Sequence, residues 1–313
     1  MNGAGRLSLY GAGLAVAVAV GYAVAAMPDN TVASVPEQPQ VSEHGAHASM
    51  SGGSAAGLSG LSLSQDGYLL GEVSAPAAAD VDGELRFQIR NADGKPVTAF
   101  VESHEKDLHL IVVRSDGSGF QHVHPSLNAA TGTWSAPWKW PAAGSYRVFA
   151  DFQPADAADA PALTLARTVE VAGSFSPVDA STPRTTDQVA GYTVTLGGDL
   201  MVGSAREVTA TVSRNGSPVT TLQPYLGAFG HLVALRDGDL AYLHVHPEGD
   251  EPKPGQDGGP TVSFVAEAPT AGRYLLYLDF QVDDAVHTAT FVLDAQQPAG
   301  STPEIRHDQG GGH

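Results

Sequence analysis

Cysteine is absent from the 313 residues. That removes disulfides, thiolate metal sites, a cysteine nucleophile and a lipidated N-terminal cysteine. Methionine numbers only four, too few for a thioether site suited to Cu(I). Basic residues are scarce: 16 Lys and Arg stand against 34 Asp and Glu, a formal net charge of −18. No basic patch is on offer to phosphates, so nucleic acid is excluded as a partner, while an acidic surface favours solubility and draws cations. Long amphipathic helical runs are missing too. Short alternating apolar patches, broken by 36 Gly and 21 Pro, point to β structure. No G-x-S-x-G elbow, Walker loop, dinucleotide fingerprint or H-E-x-x-H occurs.

What is present begins at the N-terminus. Arg6 precedes Leu7 to Met27, a stretch without a charged residue. It is long enough to span a bilayer and longer than a usual signal core, although Ala23-Val24-Ala25 has the small residues of a cleavage site. The positive-inside rule places everything after Met27 outside the cell. The expectation is a membrane anchor or signal segment over 1–28, with extracytoplasmic domains; secretion after cleavage is the alternative. Residues 29–57, rich in Pro, Ser, Gly, Ala and Gln, read as a flexible linker, and 296–313 as a disordered tail.

Between them the chain writes one pattern twice. His109 opens an apolar run that turns at Asp116-Gly117 and ends in His122-Val123-His124-Pro125; His231 opens the second, which ends in His244-Val245-His246-Pro247. Strand side chains alternate, so the two histidines of each His-x-His share a face. A two-residue turn at Asp116-Gly117 would set His109 opposite His124, on that same face. In the second copy a turn at Asp237-Gly238 or Gly238-Asp239 brings His231 opposite His244 or His246. Each copy is thus expected to be a β-hairpin gathering three imidazoles.

The repeat extends beyond the hairpin. Asn215-Gly-Ser-Pro218 matches Asp93-Gly-Lys-Pro96, and Pro269 to Gln281 restates Pro141 to Gln153, each ending in Asp-Phe-Gln. Corresponding positions lie 122 residues apart at His109 and His231 and 128 at Pro141 and Pro269, too long for a solenoid unit. The fold expected is all-β: two tandem immunoglobulin-like or cupredoxin-like antiparallel sandwiches, over 58–174 and 175–295. Glu84–Arg90, Thr133–Trp140, Leu163–Val171, Arg206–Ser213 and His287–Leu293 read as strands, with Pro137 marking Thr133–Trp140 as an edge. Tyr146 and Tyr274 fit the core or a tyrosine corner, and Trp134, Trp138 and Trp140 fit core or edge packing.

A lone strand histidine is usually a satisfied polar residue. Three on one face at matched spacing differ, because neighbouring imidazoles repel once protonated and need partners when buried. His109, His122 and His124, and His231, His244 and His246, are therefore candidate metal ligands. Neutral imidazoles suit Cu(II) or Zn(II), whereas Ca²⁺ and Mg²⁺ prefer oxygen. Asp151 and Asp279 could add a ligand or orient an imidazole, and His104 and His287 could complete one site each. The function expected is extracytoplasmic binding, buffering or delivery of Cu(II) or Zn(II), with no enzyme activity. The alternatives are a non-catalytic interaction or adhesion module whose histidines are structural and, more remotely, a three-histidine hydrolytic metal enzyme.

The stretches "HLIVVRSDGSGFQHVHP" with "PAAGSYRVFADF", and "YLGAFGHLVALRDGDLAYLHVHP" with "AGRYLLYLDFQVDDAVHTATFVL", resemble a family of exported or membrane-anchored bacterial proteins common in actinobacteria. That resemblance implies duplicated His-x-His-Pro β-domains behind an N-terminal anchor. More loosely, the layout is similar to small β-sandwich copper carriers of the bacterial periplasm. This carries over only to His109, His122, His124, His231, His244 and His246. The chain departs from those carriers in lacking a methionine-rich loop.

Overall fold

A computed structural model describes residues 58–156, 160–178, 182–243, 245–253 and 255–298. The expected anchor, the linker, His244 and most of the expected tail lie outside them. Among the described residues no helix is long and apolar enough to cross a membrane.

The chain is all-β. The first half contributes β1 (Ser64–Gln65), β2 (Tyr68–Leu70), β3 (Gly83–Arg90), β4 (Phe100–Val101), β5 (Leu108–Arg114), β6 (Gln121–Val123), β7 (Ser126–Asn128), β8 (Thr133–Trp138), β9 (Gly144–Pro154) and β10 (Leu163–Val171). The second contributes β11 (Thr186–Val189), β12 (Tyr192–Gly198), β13 (Arg206–Arg214), β14 (Ser217–Pro218), β15 (His231–Arg236), β16 (Tyr242–Leu243), β17 (Val245–Pro247), β18 (Thr261–Ala266), β19 (Gly272–Val282) and β20 (Ala285–Ala295). All ladders between these strands are antiparallel.

In the first half, one sheet has the order β1-β2-β3-β8-β7 and the other β10-β9-β5-β6; the second half repeats this as β11-β12-β13-β18-β17 and β20-β19-β15-β16. Taken from β2 and from β12, these are the A-B-E-D and G-F-C-C′ orders of an immunoglobulin-like sandwich. Pro137 does not make β8 an edge, as the sequence led one to expect: β8 lies between β3 and β7. Only Thr133–Ser135 pair with β7, so Pro137 stands beyond its reach and costs no ladder bond there.

Each sandwich has its own core, built by alternation. Leu85, Phe87 and Ile89 of β3 meet Leu108, Leu110 and Val112 of β5 across the first, with Trp134, Trp138 and Trp140 filling it. Val208, Ala210 and Val212 face Leu232, Ala234, Leu276 and Leu278 in the second. The tyrosine corners are present: Tyr146 donates its hydroxyl to the Ala142 carbonyl at 2.9 Å, and Tyr274 to the Thr270 carbonyl at 3.0 Å. Removing a buried hydroxyl leaves its acceptor short of a partner, so Tyr146→Phe and Tyr274→Phe should each destabilise by about 1 kcal/mol. Lying in different sandwiches, the two losses should add in urea melts of the double variant.

A third apolar layer joins the halves. β5 is buried along its whole length, because its second face is covered as well. Ile111, Val113, Phe149 and Ala166 of the first half pack against Val233, Leu235, Leu275, Tyr277 and Val292 of the second. The Tyr277 hydroxyl donates to the Gly117 carbonyl at 2.6 Å, and Arg147 reaches the Asp239 carbonyl at 3.3 Å. The two G-F-C-C′ sheets thus meet through faces that a lone sandwich would leave to solvent. That layer positions the site.

Candidate metal site at the junction of the two halves

His109 and His231 lie on the faces that meet. Along β5 the core takes Leu108, Leu110 and Val112, so His109, Ile111 and Val113 turn to the second half. By the same alternation His231 stands with Val233 and Leu235, and Asp279 with Tyr277 and Leu275. β5 pairs with β6 in the register Leu110↔Val123 and Ile111↔His122, which continues to set His109 opposite His124. Three imidazoles therefore converge. Each offers one nitrogen to a group whose atoms lie within 4.8 Å of one another. The ring centroids stand 5.3 Å (His109, His122), 4.9 Å (His109, His124) and 4.8 Å (His122, His124) apart.

The other ring nitrogens fix which atoms face inward. His109 Nε2 lies 3.0 Å from the Ser103 carbonyl, and His122 Nδ1 lies 2.9 Å from Asp279 Oδ2. Carbonyl and carboxylate oxygens only accept, so the hydrogen-bond network assigns the protons to those two nitrogens. In the neutral rings, His109 Nδ1 and His122 Nε2 are then bare lone pairs. They face each other at 3.1 Å, and His124 Nε2 lies 3.2 Å from the same His109 nitrogen. Lone pairs so close in a buried place repel unless an electrophile sits among them. On His109 and His124 a proton is disfavoured: burial, with the neighbouring imidazoles, pushes His109 down to about 4 and His124 to about 3. A metal ion with nitrogen ligands at about 2.0–2.1 Å needs its neighbouring ligand atoms roughly 3 Å apart. The spacing observed meets that need.

The second copy does not assemble a trio among the described residues. β15 and β16 pair in the register Ala234↔Leu243 and Leu235↔Tyr242, but β16 has only two residues. The chain then crosses to the other sheet, where Val245–Pro247 pair with β18 and His246 lies opposite Val265, exposed. In the first copy the crossing comes only after Val123, and the strand it leads to starts at Ser126. The earlier crossing takes His246 off the shared face, and His244 lies outside the described residues. His231 instead joins the first-half group. It is buried, donates from Nε2 to the Tyr225 carbonyl at 2.8 Å, and sits 6.3 Å from the His122 ring and 5.4 Å from that of His104. Burial pushes it down to about 4 against the raising effect of the Tyr225 carbonyl.

The remaining candidates divide. Asp279, opposite His231 in the ladder, is buried; it accepts from His122 and, through Oδ1, from the Thr288 hydroxyl at 2.5 Å. It orients an imidazole of the other half. Asp151, opposite His109, accepts from the Thr164 hydroxyl at 3.1 Å and lines a cavity of about 190 Å³ beside the trio, with His104, His109, His122, His231 and His246. His104 lies 6.1 Å from the His109 ring, so it borders the trio yet is equally a neighbour of His231. His287 completes no site: its ring packs 5.1 Å from Tyr192 and 5.4 Å from Phe280. Sequence reasoning missed the Ser103 and Tyr225 carbonyls and Thr288, which carry no signal of their own.

Comparison with known proteins places this geometry in a wider setting. Among curated proteins none matches the chain in sequence. Among solved structures, it is similar to invasin, a bacterial integrin-binding protein, with 13% identity over 74% of this chain and 39% of that one, and a TM-score of 0.21. A protein of Corynebacterium diphtheriae described as membrane anchored matches with 11% identity over 75% and 60%, at 0.21. The fibronectin(III)-like modules of Clostridium thermocellum CbhA match with 13% identity over 72% and 94%, at 0.19. The chain thus spans about two fifths of invasin and three fifths of the corynebacterial protein, and overlaps this slight carry no argument about function. Sequence says more: residues 64–172 and 187–297 each match one family, so the chain belongs to the family described as "Domain of unknown function (DUF8832)" and carries that domain twice.

Proposed function

We propose that the protein binds a transition metal ion, Cu(II) or Zn(II), through His109, His122 and His124, and that it buffers or delivers that ion outside the cytoplasmic membrane. The observation that carries the reading is the convergence of three imidazole nitrogens, two of them held as lone pairs by the bonds their rings make elsewhere. Asp279 acts as the carboxylate behind His122, an arrangement that fixes a ligand's tautomer and raises its basicity. A net charge of −18 favours cation approach. The charge-free stretch Leu7–Met27 after Arg6 supports an extracytoplasmic placement, anchored or released.

The test is a titration of the purified, untagged chain with Cu(II) and with Zn(II). Free ion at about 100 times Kd stabilises the folded state by about 2.7 kcal/mol, which for sandwiches of this size raises Tm by roughly 5–10 °C. EDTA should reverse the rise, and His122→Ala/His124→Ala should abolish it. An unchanged stoichiometry in that double variant, or a melting temperature indifferent to both ion and chelator, would remove the metal reading. The histidines would then be structural groups of an interaction module.

A further inference from the structure

The trio is part of a larger ring. Taken in the order His124, His109, His104, His231, His122, successive ring centroids lie 4.9, 6.1, 5.4 and 6.3 Å apart, and 4.8 Å closes the circuit. The His104–His231 separation is close to those within the trio, which is the spacing of imidazoles that share an ion. His231 is committed at Nε2 to the Tyr225 carbonyl, so its Nδ1 is a bare lone pair in the neutral ring. His104 and His231 come from different halves and line the same cavity of about 190 Å³, with Asp107, Asp151 and His246 also on its wall.

A tight turn holds His104 there. Ser103 and Lys106 exchange backbone hydrogen bonds across a two-residue turn, in which His104 and Glu105 have φ of +49° and +62°. At the matching place in the second half, Tyr225 and Ala228 close the same turn around Leu226 and Gly227. The turn is thus common to both halves, Leu226 standing at φ +55° where the first half has His104 at +49°. Here it presents an imidazole to His231.

From the spacing of these rings and the cavity they share we infer a second cation position between His104 and His231, beside the trio, so that the protein holds a pair of imidazole-preferring divalent ions. The inference rests on the trio being a metal site. Water would supply the remaining ligands, as it does at the open positions of imidazole-bound ions.

The experiment is to load the full chain with Cu(II), remove loosely held ion by desalting, count copper by elemental analysis and record the EPR spectrum. Two ions per chain with a spin-coupled signal is the expected result. His104→Leu copies Leu226 of the second half and so suits the turn; it should lower the count from two to one and restore an uncoupled spectrum. His122→Ala/His124→Ala should remove the other ion. One ion per chain with an uncoupled spectrum in the unaltered protein overturns the second position and leaves the trio standing, as does a count of two that survives His104→Leu. No ion at all overturns both.

Discussion

His122→Ala is expected to destabilise the metal-free protein by about 3–5 kcal/mol, more than the loss of one imidazole's packing warrants. The reason lies in the other half of the molecule. Asp279 and His122 pair at 2.9 Å with side chains 3% and 4% exposed, so removing the ring leaves a buried carboxylate with the Thr288 hydroxyl as its one remaining hydrogen-bond donor among the described residues. An uncompensated buried charge is costlier than the pair it came from is stabilising. The diagnostic is therefore a double-mutant cycle in urea. Asp279→Asn added to His122→Ala should recover a substantial part of the loss, because the stranded charge goes with it, and the two single effects should fail to add. If His122→Ala costs no more than about 1 kcal/mol, Asp279 is not committed to the histidine and the link between halves is packing alone. On metal binding, Asp279→Asn alone should weaken affinity 10–100-fold while leaving the trio in place, the usual penalty for losing the carboxylate behind a ligand. Thr288→Val, one bond further away, should have a smaller effect in the same direction.

That cycle probes the link that sequence reasoning did not reach. The His-x-His face, the opposition of His109 to His124, the tyrosine corners and the repeat are consequences of local rules: period-two alternation, a Gly-containing turn and residue spacing. They act over short stretches, so they could be read from the chain alone. The pairing of His122 with Asp279 is different. It depends on two sheets meeting through their outer faces, and no local periodicity specifies which of two remote surfaces will touch.

A signal was nevertheless present. Leu108–Val113 and Leu232–Leu235 do not alternate; they are apolar at almost every position, the mark of a strand covered on both sides. Given that mark, Ile111, Val113, Val233 and Leu235 require a partner surface, and His109 and His231 must lie beside it. The expectation of a trio in the second half is not reached by the described residues, which leave out His244, though the sheet crossing there bears on it. It assumed that the second hairpin would run as long as the first, whereas β16 ends at Leu243 and Val245–Pro247 pair with β18. Where a chain leaves one sheet for the other is decided by competition between two ladders, and the identical His-Val-His-Pro in both copies carries no record of it. His104 was legible only as a spare histidine. Its nearness to His231 comes from a turn with positive φ at two non-glycine residues, and a turn without glycine, asparagine or aspartate carries little local signal.

Acid should lower the stability of the metal-free protein over two successive pH ranges, the first set by the histidines. Well above pH 6.5 His109 and His231 are neutral in folded and unfolded chains alike, and they contribute nothing to the slope of stability with pH. Below it the unfolded chain takes up protons that buried His109 and His231 refuse until about pH 4. The unfolded state then binds more protons, so stability falls as pH falls, by up to roughly 1.4 kcal/mol per pH unit for each such ring. His124 acts in the same direction but is more exposed to solvent, and water screens its share. The carboxylates come later: the Arg114 guanidinium and several hydrogen bonds hold Asp116 down at about 2 against the raising effect of its burial, and the Arg236 guanidinium lowers Asp239 likewise. Their contribution is present above the ordinary carboxylate range and is lost only below about pH 4. Urea midpoints measured from pH 7.5 to 4.5 should therefore decline steadily with metal removed, and His109→Gln should flatten part of that decline. A midpoint constant across the interval would mean that the rings take up protons in the folded state as readily as in water, and that the lone pairs facing one another at 3.1 Å are already bridged by a proton instead of awaiting an ion.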